Sequence, residues 1–174
     1  MSRRAAPKVN GTVVRSTEDS PAIVLADEMA RQDAPRDWSE LTEAHPFARF
    51  LGLRILVRDG QLDCLLPYRK LLVGNPVLPA LHGGAVAGFM ECAGMLFLLW
   101  HRDSEVLPQT IDFSIDYLRS GRPEDTHARV FMVKHGQRVA HLSVEAWQSE
   151  PDKLIAVGRG NFLLRPAAPE PNST

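Results

Sequence analysis

Hydrophobic positions along the chain fall into two kinds of pattern, one continuous and one alternating. Between residues 83 and 100 almost every position is apolar, and Glu91 is the single charged residue. Because apolar side chains occupy every face at helical spacing, this run predicts a helix that is buried all round. Elsewhere, apolar and polar residues alternate in short runs, which is the pattern of half-buried strands.

The alternating runs predict six strands around the central helix. Two strands precede the helix, at 53–58 and 61–66, and the pair Asp59-Gly60 between them is a strong hairpin signal. Residues 67–81 are predicted to form a loop. The four remaining strands follow the helix and are separated by polar or turn residues: 110–118, 126–134, 137–148 and 153–164. One apolar helix and six strands predict an α+β domain in which a curled antiparallel sheet wraps the helix.

The two ends of the chain differ in composition from this domain. The polar start contains one predicted short helix at 23–31 and a second that begins at Ser39, as N-cap, and is limited by Pro46. The last residues are rich in proline and alanine, which is typical of a disordered tail. The chain therefore divides into a partly disordered, partly helical extension, a domain and a tail: 1–45, 46–165 and 166–174.

Composition and charge narrow the possible partners and location. A net charge of −1 gives no reason to expect nucleic acid or an anionic membrane as a partner. The central apolar run is short for a membrane span and contains Glu91. No apolar segment of a secretory signal follows the first basic residues, so we expect a cytoplasmic protein. Cys64 and Cys92 have no metal-ligand spacing and are expected to be small core residues.

The start of the central helix carries features that suit chemistry. Gly83 and Gly84 let the backbone approach a ligand closely, since neither has a Cβ. The first N–H groups of a helix and its dipole favour an oxygen that carries negative charge. Glu91 follows about two turns later, and a carboxylate among apolar residues is costly without a function or a hydrogen-bonding neighbour. Both explanations of Glu91, a catalytic acid and a structural one, are open at this point.

The stretch Leu81-His82-Gly83-Gly84, with an acid nine positions after the histidine, resembles the signature of PaaI-type hotdog-fold acyl-CoA thioesterases. The order of strands and helix over roughly residues 46–165 is also similar to the hotdog fold. The resemblance implies that Glu91 is the catalytic carboxylate and that the Gly83 N–H binds the oxyanion. It also implies a homodimer or homotetramer with the site at the dimer interface, so that Gly83 and Glu91 of one site can belong to different chains.

The same resemblance extends to three further site residues. Asn75 resembles the family asparagine in the loop before the histidine, displaced by one residue from the commonest spacing, and His82 would anchor the turn or orient the substrate. Thr110 matches a strand position where a hydroxyl helps to hold water. For His82 the alternative is a histidine hydrogen-bonded inside a loop. For Thr110 it is an ordinary β-branched strand residue. Period two places Thr110, Asp112 and Asp116 on one face, where the acids are expected to be solvated.

Acyl-CoA as substrate implies a phosphate-binding surface as well. Arg119, Ser120 and Arg122 lie in a predicted loop at a strand end, and arginine suits phosphate recognition, although arginines are common in loops. Gly84 is the fourth candidate for substrate binding. No cofactor is expected beyond the coenzyme A of the substrate, and no pattern of ligands indicates zinc.

Several alternatives stay open at the level of the sequence. Glu91 can act as general base on water or as a nucleophile that forms an anhydride. A hotdog dehydratase or hydratase is the nearest rival, but its histidine is expected ahead of the loop, where this chain has Leu72-Val73. A non-catalytic acyl-CoA-binding protein is the third interpretation. The acyl group is open too, with Phe89, Met90 and Phe113 as candidate pocket residues.

Overall fold

The computed structural model describes most of the predicted domain. The described residues are 38–58, 60–77, 79–102 and 106–164. The predicted helix at 23–31 and the predicted tail at 166–174 lie outside them, as does most of the predicted extension. The limits proposed for the three regions of the chain therefore stay predictions.

Among the described residues, two short helices precede the sheet, where the sequence predicted a single one from Ser39. Helix α1 spans Ser39–Ala44 and helix α2 spans Pro46–Leu51. Pro46 ends the first helix and also begins the second, because proline is well tolerated at the first helical position. His45 caps α2, since its Nδ1 accepts a hydrogen bond from the Ala48 N–H at 3.2 Å. Gly52, with a φ of 73°, ends α2 in the left-handed conformation.

The strands form a six-stranded antiparallel sheet and a two-stranded one. Each predicted strand is present, with ends shifted by a few residues at most, and the hairpin turn at Gly60 is confirmed by the pairing of Arg58 with Gln61. The order in the larger sheet is β1-β2-β6-β7-β8-β5, so β1 and β5 are its edges. The strands are β1 Arg54–Arg58, β2 Gln61–Leu66, β3 Val73–Asn75, β4 Ala80–Leu81, β5 Gln109–Tyr117, β6 Thr126–His135, β7 Val139–Trp147 and β8 Ala156–Leu163.

The small sheet replaces part of the predicted loop. A turn of 3-10 helix at Lys70–Leu72 leads into β3, which pairs with β4 just before the central helix. These elements are two or three residues long, too short to show a period in the sequence. They fix the path of the chain immediately ahead of His82.

The central helix, α3, spans Gly83–Arg102 and packs against β2 and β5–β8. It has the length and mean hydropathy of a membrane span, but 61% of its most apolar window is buried within the chain, as in the core helix of a globular domain. The prediction of burial on every face is only partly right. Gly84 is exposed, and Ala87, Gly88 and Glu91 are half-buried, so one stripe of α3 stays accessible in the single chain.

Candidate active site

His82 holds the glycine turn at the start of α3. Its Nδ1 accepts a hydrogen bond from the backbone N–H of Gly84 at 3.0 Å, and its carbonyl accepts one from the Ala85 N–H at 2.9 Å. The His82 N–H itself donates to the Leu72 carbonyl at 2.7 Å. Because Nδ1 is an acceptor here, the neutral ring carries its proton on Nε2. His82 therefore caps α3 and ties it to the 3-10 turn.

The neighbouring N–H, that of Gly83, is available to a ligand. The first N–H groups of a helix have no partner within the helix. Among the described residues we find no hydrogen-bond partner for the Gly83 N–H. Gly83 lines a cavity of about 400 Å³. An oxygen that carries negative charge would be stabilised there by this N–H and by the positive end of the helix dipole.

Tyr117, at the end of β5, contacts the same turn. Its hydroxyl donates a hydrogen bond to the Gly83 carbonyl at 2.7 Å. A Cβ added at residue 83 would lie 3.2 Å from the Tyr117 Cζ and Oη, so the ring lies directly against the glycine. Tyr117 also lines the cavity. Sequence reasoning missed this residue because 34 positions separate it from Gly83, and only the fold brings the two together.

Asn75 lies beside the turn but points its side-chain oxygen at its own loop. Asn75 Oδ1 accepts a hydrogen bond from the Val77 N–H at 2.9 Å, which is the pattern of an Asx turn. The preceding residue packs closely, since a Cβ at Gly74 would lie 2.8 Å from the Cα of His82. The β3–β4 turn is therefore built around Asn75 and rests against the cap of α3.

Glu91 lies on the accessible stripe of α3. It is half-buried, and in the described part of the chain it has no salt bridge or hydrogen-bond partner. The structural explanation of Glu91 therefore has no partner to support it among the described residues. One turn earlier the ring of Phe47 covers the helix, since a Cβ at Gly88 would lie 2.7 Å from the Phe47 Cε1. Glu91 is thus an accessible carboxylate beside an apolar surface.

Gly83 and Glu91 of one chain lie about two turns apart on α3. Eight residues separate them on α3, which at 1.5 Å of rise per residue is about 12 Å along the helix axis. A base and an oxyanion donor each need to be about 3 Å from the reacting group. The spacing along α3 is therefore several times the reach of either hydrogen bond.

Strand β5 contains a bulge that changes the face on which Thr110 lies. Thr110 pairs with Phe162, which is fully buried, and residues directly opposite one another share a face. The register then shifts before Asp112, so Ile111 is the extra residue. Thr110 consequently lies on the face that packs against α3. The prediction that Thr110 shares a face with Asp112 and Asp116 is wrong, because the bulge interrupts the alternation.

The two acids of β5 lie on the outer face of the sheet. Asp112 accepts hydrogen bonds from the Asn161 Nδ2 at 2.9 and 3.2 Å. Asp116 forms an exposed salt bridge with Arg159 at 3.4 Å. Both are solvent-exposed, as a solvated strand face requires.

Two of the three polar loop residues predicted to bind phosphate lie next to the glycine turn. Arg119 and Ser120 line the cavity that contains Gly83. Together with Arg122 they also line a second cavity of about 390 Å³, which includes Lys153. Arg119 is held in place, since its Nη1 donates to the Leu154 carbonyl at 2.6 Å. Within the described ranges no group of three or more His, Cys, Asp or Glu side chains is placed to hold a metal ion.

Comparison with known proteins agrees with this architecture. Residues 78–155 match the family model described as the thioesterase superfamily. The medium/long-chain acyl-CoA thioesterase YigI of Escherichia coli strain K12 is 29% identical over 133 residues, which are 68% of this chain and 85% of the relative. The protein of that name from Salmonella typhimurium is 31% identical over 134 residues, with the same coverage. The chain belongs to the thioesterase superfamily.

Solved structures show the same fold. A protein from Chromobacterium violaceum is 38% identical, with a TM-score of 0.62, and the match covers 82% of this chain and 96% of that one. A mutant of the phenylacetic acid degradation protein PaaI from Thermus thermophilus has a TM-score of 0.57 at 23% identity, covering 68% of this chain and 97% of that one. The predicted hotdog fold is thereby confirmed.

Proposed function

We propose that this protein is an acyl-CoA thioesterase, which hydrolyses an acyl-CoA thioester to the free acid and coenzyme A. The observation that carries the proposal is the Gly83 N–H, which has no partner among the described residues and lies at the start of α3 on the wall of a cavity. Glu91 lies on the accessible stripe of the same helix. The activity named for the curated relatives supports the same function.

The proposed reaction uses these two groups and a water molecule. The Gly83 N–H stabilises the negative charge that develops on the thioester oxygen, with the helix dipole adding to it. As general base, Glu91 takes a proton from water while the water oxygen attacks the carbonyl carbon. The intermediate then expels the coenzyme A thiolate, which receives that proton. As nucleophile, the Glu91 carboxylate would attack the carbonyl carbon and expel the coenzyme A thiolate, which leaves an anhydride between the acyl group and Glu91. Water would then cleave this anhydride to give the free acid and regenerate Glu91, and its proton would go to the thiolate. Thr110 would hold the water in either route.

We propose that two chains complete each site. Strand β5 is an edge of the six-stranded sheet, and its outward-facing N–H and C=O groups can pair with a second copy. An antiparallel pairing centred near Phe113 would bring Thr110 of one chain close to Tyr117 of the other. Because Tyr117 contacts Gly83, the oxyanion donor of one chain would then approach Thr110 of its partner, the residue proposed to hold the water for Glu91. A homodimer built in this way, or a homotetramer of such dimers, would overcome the separation of about 12 Å along one helix.

The coenzyme A part of the substrate has a matching surface. Arg119 and Ser120 line both the cavity at Gly83 and its neighbour. Arg122 also lines the second cavity, where Lys153 forms a salt bridge with Glu150 at 2.7 Å and Glu124 adds negative charge. We propose that the thioester end lies in the first cavity, beside Gly83 and Gly84, and the phosphates in the second. Arginine is suited to this because its planar group binds phosphate through two hydrogen bonds.

The test is thiol release from a panel of acyl-CoA thioesters by the wild type, by Glu91→Gln and by Glu43→Gln. Glu43 is an exposed acid on α1, so its variant controls for the loss of one charge. We expect hydrolysis by the wild type and the control, and a fall of at least about a hundredfold for Glu91→Gln. Equal turnover by all three would remove Glu91 from the reaction. No thiol release on any substrate, with hydration of an enoyl-CoA instead, would favour a hydratase.

A further inference from the structure

Two glycines occupy interior positions of strand β8. Gly158 and Gly160 are both buried, and a Cβ at Gly158 would lie 3.3 Å from the Met90 Cε of α3. They therefore face the central helix. Glycine weakens the interior of a strand and is found there mainly where another group approaches the backbone closely.

The approaching group is the ring of Phe113, on the neighbouring strand β5. A Cβ at Gly158 would lie 2.6 Å from the Phe113 Cζ, and one at Gly160 would lie 2.6 Å from the Phe113 Cδ2. Both distances are too short for carbon atoms that are not bonded to one another. The ring thus lies along β8 in the space that two side chains would otherwise fill. We call this space, floored by Gly158 and Gly160, the glycine trough.

Phe113 marks the boundary between the closed core and the accessible surface. Of the three candidate pocket residues, Phe89 and Met90 are 0% exposed, whereas Phe113 is half-buried on an edge strand. An acyl chain can contact Phe113 without opening the core. It cannot reach the other two side chains unless close-packed neighbours first move apart.

The ring also borders the two elements that carry Thr110 and Glu91. Phe113 shares the α3-facing side of β5 with Thr110, and the trough that holds its ring borders Met90, which directly precedes Glu91 on the helix. A chain that extends inward from a thioester beside Glu91 would meet the Phe113 ring, with the glycine trough behind it.

We propose that Phe113 determines acyl-chain length, its ring forming the end wall of the acyl site. The proposal rests on the proposed thioesterase function and adds the residue that limits the length of the acyl chain. Without the ring, the glycine trough would become an extension of the site, because its floor has no side chains. A side chain at Gly158 would do the reverse and push the ring toward the substrate.

The test compares wild type, Phe113→Ala and Gly158→Ala on butanoyl-, octanoyl-, dodecanoyl- and hexadecanoyl-CoA. Phe131→Ala is the matched control, since that ring is exposed on β6, on the opposite face of the sheet. We expect Phe113→Ala to raise kcat/KM for the longest substrate relative to octanoyl-CoA by at least about tenfold. Gly158→Ala should shift the ratio toward shorter chains, and the control should leave it unchanged. Phe113→Leu opens less space than Phe113→Ala. It should therefore shift the ratio of kcat/KM values in the same direction as Phe113→Ala, by a smaller factor.

Binding of non-hydrolysable alkyl-CoA thioethers of the same lengths, measured by calorimetry, separates the two claims. Suppose that the wild type hydrolyses no thioester while the Phe113 variants bind the thioethers with a shifted chain-length profile. That result would contradict the proposed function but still support the role of Phe113 in chain-length selection. Normal hydrolysis with the same chain-length profile in wild type, Phe113→Leu and Phe113→Ala would overturn the inference alone. Should Phe113→Ala fail to fold, Phe113→Leu and Gly158→Ala decide by their opposite shifts.

Discussion

At the scale of single residues, the two glycines at the start of α3 have different roles. The Gly84 N–H is used by His82, whereas the Gly83 N–H has no partner among the described residues. In the sequence, Gly83 and Gly84 cannot be told apart by residue type. Only the family motif indicates that Gly83, directly after the histidine, is the oxyanion donor. The cap geometry supplies the physical reason for that choice.

Gly83→Pro tests this assignment directly. Residue 83 is the first of the helix, where proline is tolerated, so the substitution removes the N–H while the helix can still form. We expect kcat to fall by about a hundredfold to a thousandfold, as when an oxyanion donor is lost. Gly83→Ala is the control, because it adds a Cβ near Tyr117 and keeps the N–H, and it should retain most of the activity. Equal losses in the two variants would indicate crowding rather than a lost donor.

Tyr117 is expected to act through Gly83. Its hydroxyl holds the Gly83 carbonyl, so Tyr117→Phe should loosen the turn without removing a group that touches the reacting atoms. A neutral hydrogen bond contributes about 1 kcal/mol, which corresponds to roughly a fivefold loss. We expect this loss in kcat, with KM nearly unchanged, in steady-state assays. A change confined to KM would place Tyr117 in substrate binding instead.

The two cysteines should be unreactive in the folded protein. Burial, and to a smaller extent the nearby charge of Glu91, raises the pKa of Cys92 to about 12, and burial raises the pKa of Cys64 further still. The reactive thiolate is therefore scarce at neutral pH. A chromogenic aryl disulfide should detect no thiol in the native chain and both thiols after unfolding. Rapid native reaction of one thiol per chain would contradict the burial.

At the scale of elements, the sequence predicted which helices and strands exist better than it predicted how they face one another. The run from 83 to 100 has no polar face, so it could only be a central helix. The accessible stripe of this helix could not be predicted from the sequence. The residues at 84, 87 and 88 are glycine and alanine, which occur on buried and on solvent-accessible helix faces alike. The position of Glu91 on that stripe depends on which side the sheet covers.

The face of Thr110 was mispredicted for a related reason. A period of two holds only while the pairing is unbroken, and the bulge at Ile111 is set by the register of β5 on β8. Nothing in the local run Thr110–Asp112 signals it. Tyr117 and the trough at Gly158 and Gly160 likewise depend on contacts between distant segments, which one sequence without its fold does not reveal.

The last turn of α3 should make stability sensitive to acid. Burial, and next the neighbouring His135, lower the pKa of His101, whose ring stacks on Phe97 at 5.6 Å. The folded state therefore binds this proton less readily than the unfolded chain. Stability is full above the ordinary pKa of 6.5 and falls as the pH drops from there toward the lowered value. The effect is expected to be small because the ring is partly exposed.

His101→Gln provides the comparison for that effect. The variant cannot take up the proton, so its thermal unfolding midpoint should fall less than that of the wild type as the pH drops below 6.5. The difference is measured by thermal unfolding at a series of pH values. Parallel curves for the two proteins would show that His101 makes no contribution.

At the scale of the whole molecule, we expect each site to need two chains. Gly83 and Glu91 lie about 12 Å apart along one helix, and β5 leaves one edge of the sheet for pairing. The resemblance in the sequence suggested such an arrangement, and the geometry of a single chain gives it a physical reason.

The most direct test is to mix two inactive variants, Glu91→Gln and Gly83→Pro, by co-expression with separate tags. In a mixed dimer one site would contain the intact Glu91 of one chain and the intact Gly83 of its partner. Random pairing makes half of the dimers mixed with one working site each, so we predict about a quarter of wild-type activity. Each variant alone should be inactive. If purified mixed dimers hydrolysed no acyl-CoA, the two groups would have to act within one chain, which would contradict a site shared between two chains.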